Sequence, residues 1–179
     1  MTVPHLSRRR WLIAAGSFAV VPAVRAAIPP APPERSLALE HTHTGERLSV
    51  LYAVGDRFVP SALDALAHLL RDHRTGEKHP IDPALFDQLH ALQSITRSGE
   101  AFRVISGYRS PHTNAMLRSR SSGVAKASLH LEGRAIDVRL PGVALADLRD
   151  AAQSLRAGGV GYYPESDFVH VDTGRVRIW

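Results

Sequence analysis

The fold of this chain is decided by two stretches, Ser128-Leu129-His130-Leu131-Glu132-Gly133-Arg134-Ala135-Ile136-Asp137 and Asp167-Phe168-Val169-His170-Val171-Asp172. Together they carry two imidazoles and a carboxylate, which are the nitrogen and oxygen donors from which catalytic zinc sites are built. Such a site takes three protein ligands and leaves one position for water. We therefore predict a zinc site formed by His130, Asp137 and His170.

The alternation of side chains along two predicted strands supports this grouping. In residues 135–140 aliphatic side chains alternate with Asp137, and in residues 168–172 two valines alternate with His170. Because successive side chains of a strand point to opposite faces, Asp137 and His170 are predicted to lie together on the face away from the core. Gly133 permits a turn that brings His130 back to the same point.

Two further carboxylates lie next to these ligands. Asp167 stands three residues before His170, where its carboxylate is predicted to accept a proton from the water of a zinc site. Strict alternation turns Asp167 away from His170, so a bulge or an irregular strand start is needed to re-aim it. Asp172 is predicted either to orient the free N–H of a ligand histidine or to cap the hairpin that follows.

The N-terminal residues have the order of an export signal. Residues 8–10 are three arginines, and Trp11 opens a mild apolar run that ends at residue 24, where small residues follow. Paired arginines in this setting indicate the twin-arginine pathway, and the run is shorter than the ~20 residues of a membrane span. We predict a signal peptide over residues 1–26, which leaves a periplasmic protein without a stable membrane anchor.

Charge and cysteine content exclude several classes of function. Four of the 22 Lys and Arg residues lie in the predicted signal and none of the 17 acidic residues does, so the mature chain carries 18 basic residues against 17 acidic ones. There is no basic stripe with interleaved aromatic residues, and a nucleic-acid partner is not expected. The absence of cysteine excludes a Cys-ligated zinc ribbon, a disulfide framework and a thiol nucleophile.

The mature chain is predicted to form one α+β domain over residues 37–179, after a Pro-rich linker over residues 27–36. Ser61 and the Asp82-Pro83 pair are predicted helix starts. The apolar periodicity predicts further helices over residues 113–118 and 143–155, and strands over residues 48–54, 102–106, 135–140, 160–163, 168–172 and 176–179. Because helices come first and strands cluster late, we expect a small antiparallel sheet that carries the zinc site and packs against the helices.

The two stretches, with their spacing of serine, histidines, glycine and aspartates, resemble the zinc D,D-peptidases that share a fold with the hedgehog signalling domain. Within that group the chain is most similar to the exported murein endopeptidase K type. Further matching blocks extend the resemblance over nearly the whole predicted domain: His43-Thr44-Gly45-Glu46, Leu70-Arg71-Asp72, Ser106-Gly107-Tyr108-Arg109-Ser110, Gly158-Gly159-Val160-Gly161-Tyr162-Tyr163 and Val169 to Trp179.

The resemblance implies a role for each matching residue. The zinc ligands of the family fall on His130, Asp137 and His170, and its general base falls on Asp167, where many members have the longer Glu. The arginine of the family that meets the substrate carbonyl or the developing oxyanion falls on Arg109. Ser128 matches a motif serine close to the substrate. Peptidoglycan peptide stems are the partner that this resemblance implies.

Three functions are compatible with these residues. The first is a zinc-dependent murein endopeptidase that cleaves peptide cross-links, in particular those between two diaminopimelate residues. The second is a carboxypeptidase or dipeptidase that releases terminal D-alanine. The third is a non-catalytic murein-binding module, because a fold does not fix a function. Retention of Asp167 and Arg109 favours an enzyme, since a pure binding module needs neither.

Overall fold

The computed structural model describes residues 32–120 and 125–179. The predicted signal peptide, residues 1–26, lies outside these ranges. Four α-helices and eight strands follow one another in the order β1 (Glu34–His41), β2 (Arg47–Val54), β3 (Arg57–Phe58), α1 (Pro60–Leu69), α2 (Pro83–Thr96), β4 (Phe102–Ser106), α3 (Pro111–Arg120), β5 (Ala135–Arg139), α4 (Leu145–Leu155), β6 (Gly159–Tyr163), β7 (Phe168–Asp172) and β8 (Arg177–Ile178). Two 3-10 turns, Leu129–Glu132 and Pro164–Ser166, flank the strands that carry the predicted ligands.

All eight strands form one mixed sheet in the order β3-β2-β1-β4-β5-β7-β6-β8. The α+β class is confirmed, but the expectation of a small antiparallel sheet is wrong. Strand β1, which the sequence pattern did not reveal, pairs parallel with β4, and β8 pairs parallel with β6. These pairings join segments that are distant in sequence, and local periodicity does not report them.

The apolar core lies between the sheet and the helices. It takes buried side chains from α1, α2 and α4 and from the inward faces of β1, β4, β5 and β7. Helices α2 and α4 contact each other, and α4 also contacts β6 and β7. The strands that carry the predicted ligands are therefore supported along one face by packed helices, which leaves the opposite face for the site.

The helix ends show which local signals were correct. Asp82 caps α2 as predicted, because its side chain accepts a hydrogen bond of 3.0 Å from the amide of Ala84. The predicted cap at Ser61 is wrong: α1 begins at Pro60, whose fixed φ suits the first helical position. Ile95, near the end of α2, is 48% exposed and lies outside the core.

The last strand does not form the hairpin that the sequence predicted after Asp172. A turn does follow β7, but β8 then lies on the far side of β6 and pairs with it in parallel. The carboxylate of Asp172 accepts hydrogen bonds from the amides of Gly174 and Gly159, at 2.8 and 3.0 Å, and so ties the turn to β6.

The first strand begins three residues before the predicted start of the domain at residue 37. Strand β1 begins at Glu34, inside the range predicted as a linker, and pairs with β2 from its first residue. Within the described ranges, no helix combines the length and the apolar character that crossing a bilayer requires.

Candidate metal centre and cleft

Two neighbouring strands place the first two candidate ligands side by side. Strands β5 and β7 are antiparallel, and Asp137 is paired with His170 in their register. Paired residues of adjacent strands point to the same face. The Oδ1 atom of Asp137 lies 2.8 Å from Nδ1 of His170, so the strand alternation read from the sequence is confirmed.

The third candidate ligand comes from the 3-10 turn Leu129–Glu132. Gly133 ends this turn with a φ of 65°, and a Cβ atom there would lie 2.1 Å from the carbonyl oxygen of Pro80. Both the backbone conformation and the close approach require glycine. The resulting reversal brings Nε2 of His130 to 3.2 Å from Nδ1 of His170 and 3.3 Å from Oδ1 of Asp137.

Hydrogen bonds behind the two imidazoles determine which nitrogens carry hydrogen. Nδ1 of His130 lies 2.7 Å from the carbonyl oxygen of Gly107. Nε2 of His170 lies 3.1 Å from Oδ2 of Asp172. Since a carbonyl and a carboxylate oxygen only accept, these nitrogens are the donors of the neutral rings. The remaining lone pairs, on Nε2 of His130 and Nδ1 of His170, therefore face each other and Asp137.

Three electron-pair donors converge here at one buried point with no hydrogen between the neutral groups. His130, Asp137 and His170 are all buried. Such an arrangement is unfavourable unless a cation occupies it, and two imidazoles with one carboxylate form a donor set of catalytic zinc sites. Among the described residues, no second group of His, Asp or Glu side chains brings three ligand atoms so close together. The residues fit a metal ion.

Charge around the centre favours a cation as well. Burial lowers the pKa of His170, but hydrogen bonds to Asp137 and Asp172 outweigh it and raise that pKa above its usual value. Burial acts to raise the pKa of Asp137, yet His130 and His170 hold it well below its usual range. Two carboxylates thus stay ionised beside the histidines, and either a proton or a metal ion balances their charge.

Asp172 is hydrogen-bonded both to the candidate ligand His170 and to the turn that follows β7. Its fully buried carboxylate accepts from His170 and, at 2.6 Å, from Nη2 of Arg177. It also accepts from the amides of Gly159 and Gly174. Burial acts to raise the pKa of Asp172, and these hydrogen bonds, first that of His170, lower it further than burial raises it.

The loop between β4 and α3 is anchored to the metal centre by its backbone. The amide of Arg109 donates to the carbonyl oxygen of His130 at 3.1 Å, and the His130 ring donates back to Gly107. The amide of Tyr108 donates to the carbonyl oxygen of Leu70 at 2.7 Å. A Cβ atom at Gly107 would lie 2.5 Å from that same oxygen, so glycine lets the loop pass close to α1.

This anchoring holds the side chain of Arg109 beside the candidate ligands. Its Nη2 atom lies 3.8 Å from Oδ2 of Asp137 and 3.3 Å from Oγ of Ser106. Its buried Nε has no hydrogen-bond partner among the described residues. Burial lowers the pKa of Arg109, and the nearby Asp137 opposes that shift. The guanidinium is therefore a buried cation with hydrogen-bonding capacity left for a ligand.

The three candidate ligands form the floor of a cavity of about 590 Å³. Arg109 and Ser128, for which the sequence predicted substrate contacts, line this cavity. The other lining residues include Tyr163, Ser166, Phe168, Arg177, Trp179 and part of the 3-10 turn Leu129–Glu132. The aromatic residues were not assigned a role from sequence, although they lie in two of the blocks that carry the resemblance. In the described part of the chain, Asp137 is the one carboxylate that lines this cavity.

Asp167 is not brought into the cavity. It has a φ of 54°, so β7 does begin irregularly as the sequence argument required. That turn, however, aims the carboxylate at Arg139, whose Nη1 lies 2.5 Å from Oδ2 of Asp167. The Asp167 side chain is 62% exposed. Its role as a proton acceptor stays a prediction.

Comparison with known proteins identifies the same family from a family model and from individual relatives. A family model described as peptidoglycan L,D-endopeptidase MepK matches residues 29–179. Peptidoglycan L,D-endopeptidase MepK of Escherichia coli (strain K12) is 45% identical over 177 residues, which cover 97% of each chain. A probable peptidoglycan L,D-endopeptidase MepK of Haemophilus influenzae is 44% identical over 177 residues, with 97% of this chain and 95% of the relative covered.

The raised pKa of His170 leads to a prediction about metal affinity. Protons compete with a metal ion for this ring, and because its pKa lies above the usual 6.5, the competition continues above that pH. We expect the Zn²⁺ affinity of the metal-free protein to rise steadily from about pH 5.5 to about pH 8. Titration with a competing chelator at several pH values measures this.

The exposed His112 on α3 provides the matched control for this titration. His112→Gln is expected to retain the affinity and its pH dependence, whereas His170→Gln loses tight binding. An affinity that does not change over this pH range would contradict the assignment of His170 as a ligand.

Proposed function

The chain belongs to the family of peptidoglycan L,D-endopeptidases of the MepK type, and from this membership we propose that it hydrolyses L,D peptide cross-links of murein at a zinc ion held by His130, Asp137 and His170. The observation that carries the metal part is the convergence of the three ligand atoms within 3.3 Å of one another. The endopeptidase part rests on identity with the relatives along the whole chain.

Zinc is the ion that this donor set suits best. Two imidazole nitrogens and one carboxylate oxygen match the ligand sets of catalytic zinc sites, which keep one position open to water or substrate. When bound, such an ion polarises a peptide carbonyl and makes a water molecule acidic near neutral pH. Asp172, through its hydrogen bond with His170, fixes the tautomer and orientation of that ligand.

Two cavity residues are suited to hold the substrate. Arg109 presents a buried guanidinium next to Asp137, where it stabilises the negative charge that develops on a carbonyl oxygen during hydrolysis. One such donor contributes about 3–4 kcal/mol to transition-state stabilisation. Ser128 precedes the 3-10 turn, and its side chain makes no capping hydrogen bond, so its hydroxyl is available to a substrate in the cavity.

Digestion of isolated murein tests the proposed function. We expect the purified mature protein with Zn²⁺ to convert L,D-cross-linked muropeptide dimers to monomers, while uncross-linked pentapeptides lose no terminal D-alanine. A chelator should stop the reaction, and added Zn²⁺ should restore it. His130→Ala should lose both metal and activity, because it removes one of three ligands. Chromatography of the digestion products and metal analysis measure these outcomes.

The same digestion separates the competing functions. Trimmed pentapeptides with intact dimers would replace the proposal by a carboxypeptidase. Retention on murein without any cleavage, in protein that contains its metal, would indicate a binding module. Full zinc occupancy in His130→Ala would show that the ligand assignment is wrong.

Asp167→Asn tests the proton acceptor that the family resemblance implies. A general base must come within about 3 Å of the proton that it takes, and the Asp167 carboxylate pairs with Arg139 instead. An exposed ion pair contributes about 0–1 kcal/mol to stability. Because so weak an exposed pair can open when substrate binds, we expect Asp167→Asn to keep fold and metal but to lower kcat by ~10²–10⁴.

Arg139→Gln is the matched control, since it removes the same ion pair and leaves the carboxylate in place. A fall in kcat of ~10²–10⁴ in Asp167→Asn alone would confirm the sequence-based assignment. It would also mean that Asp167 turns towards the cavity when substrate binds. Single-turnover kinetics on muropeptide dimers distinguish this fall from an unchanged kcat, which would contradict the assignment.

We propose that the protein acts in the periplasm after export by the twin-arginine pathway. Residues 8–10 and the apolar run that follows support this proposal, as does the murein substrate of the family. Replacement of Arg8 and Arg9 by Lys should leave uncleaved precursor in the cytoplasm, because the pathway reads the arginine pair. Cell fractionation measures this, and normal export of the double variant would indicate a general secretory signal.

A further inference from the structure

Tyr163 stands on the metal face of the sheet at the end of β6. In the pairing of β6 with β7, Gly161 lies opposite His170 and Tyr163 lies opposite Phe168. Directly paired residues of two strands share a face, and so does every second residue along one strand. The Tyr163 side chain is therefore a diagonal neighbour of the candidate metal ligand His170. Diagonal neighbours of this kind have Cβ atoms roughly 7 Å apart. Tyr163 lines the cavity and its ring stacks on Phe168, with centroids 4.6 Å apart.

Trp179 fills the place next to Tyr163 that a side chain on β6 would otherwise occupy. A Cβ atom at Gly161 would lie 2.7 Å from the indole ring of Trp179. The same ring lies 5.2 Å from the His170 ring, and the guanidinium of Arg177 lies over it at 4.7 Å. Backbone hydrogen bonds to Val160 and Tyr162 hold Trp179 at the edge of the sheet. The indole is thus a fixed part of the cavity wall.

One hydrogen bond joins these two aromatic residues. Nε1 of Trp179 donates to Oη of Tyr163 at 2.7 Å. Because the indole N–H only donates, the tyrosine hydroxyl is the acceptor and its own hydrogen is directed elsewhere. In the part of the chain that the structure describes, no side chain or carbonyl accepts that hydrogen. The hydroxyl of Tyr163 is therefore an oriented donor at the wall of the cavity.

We propose that Tyr163 donates this hydrogen bond to a carbonyl or carboxylate oxygen of the bound murein peptide, and that Trp179 positions it. The inference rests on the proposed function, since it concerns the substrate of the same cavity. Peptide stems are rich in such oxygens, and the cavity is lined by two basic side chains, Arg109 and Arg177, against one acidic side chain, Asp137.

The position of Tyr163 predicts which kinetic constant it affects. Its hydroxyl is bonded to Trp179 on the exposed side of the cavity wall, whereas Arg109 lies beside the candidate ligand Asp137. A contact made away from the reacting carbonyl binds substrate and transition state alike, and its loss raises KM with little change in kcat. One neutral hydrogen bond changes an equilibrium roughly three- to tenfold. We expect Tyr163→Phe to raise KM for muropeptide dimers by this factor.

Tyr162→Phe is the matched control for this variant. It removes the same hydroxyl one residue earlier in β6, on the opposite face of the strand, where the Tyr162 ring packs against the core and lies under Arg149. We expect kcat and KM of Tyr162→Phe to equal those of the wild type. Zinc content should be one equivalent in both variants, which separates a substrate contact from damage to the metal centre.

A double-mutant cycle with Trp179→Phe tests the positioning role of the indole. Phenylalanine keeps an aromatic ring against His170 and Arg177 but removes the donor to Tyr163. We expect Trp179→Phe to raise KM about threefold in the wild type and to have no further effect in Tyr163→Phe, because its influence passes through that hydroxyl. A merely structural role of Trp179 would lower activity by the same factor in both backgrounds.

The outcomes distinguish this inference from the proposed function. If the wild type does not cleave dimers, the proposed function fails. If the wild type cleaves them and Tyr163→Phe has an unchanged KM, the substrate contact is absent and the inference is overturned. An effect of Tyr163→Phe on kcat alone would also overturn it, since that result places the hydroxyl at the reacting carbonyl. Additive effects in the cycle would refute the role given to Trp179.

Discussion

The mutual orientation of three lone pairs is the constraint on which the site depends. Nε2 of His130, Nδ1 of His170 and Oδ1 of Asp137 meet inside the protein, and all three groups are buried. Each histidine is held there by an acceptor on the far side of its ring, namely the Gly107 carbonyl oxygen and the Asp172 carboxylate. Without a cation the convergence is unfavourable, so the surrounding fold has to enforce it.

Rigid elements provide that enforcement. The antiparallel register of β5 and β7 fixes two ligands, and the glycine-ended turn at Gly133 fixes the third. Asp172, which is hydrogen-bonded to His170, also accepts hydrogen bonds from the amide of Gly159 in β6 and from the amide of Gly174 in the turn after β7. A site with two candidate ligands on paired strands and the third on a tight turn, with supporting hydrogen bonds behind the histidines, has its geometry set before a ligand binds.

One short loop connects the candidate ligand His130 with Arg109. His130 donates to the carbonyl of Gly107, and the amide of Arg109 donates back to His130. A change that displaces either partner is therefore expected to move both the candidate ligand His130 and the guanidinium of Arg109. On the opposite wall, His170 contacts the ring of Trp179, which in turn donates to Tyr163. Both walls of the cleft thus contact the candidate ligands that they flank.

The sequence by itself determined the candidate ligands, the strands that carry them and the cap of α2, because alternation along a strand and an Asp-Pro helix start are local signals. Only the tertiary structure decided the parallel pairing of β1 with β4 and of β8 with β6, which joins residues far apart in the chain. It alone decided the direction of Asp167, because this residue ends the 3-10 turn Pro164–Ser166 with a positive φ, and the alternation of the strand that follows does not report that turn. The contact of Trp179 with Tyr163 also belongs to the tertiary structure, since it exists only where β8 has crossed to the side of β6.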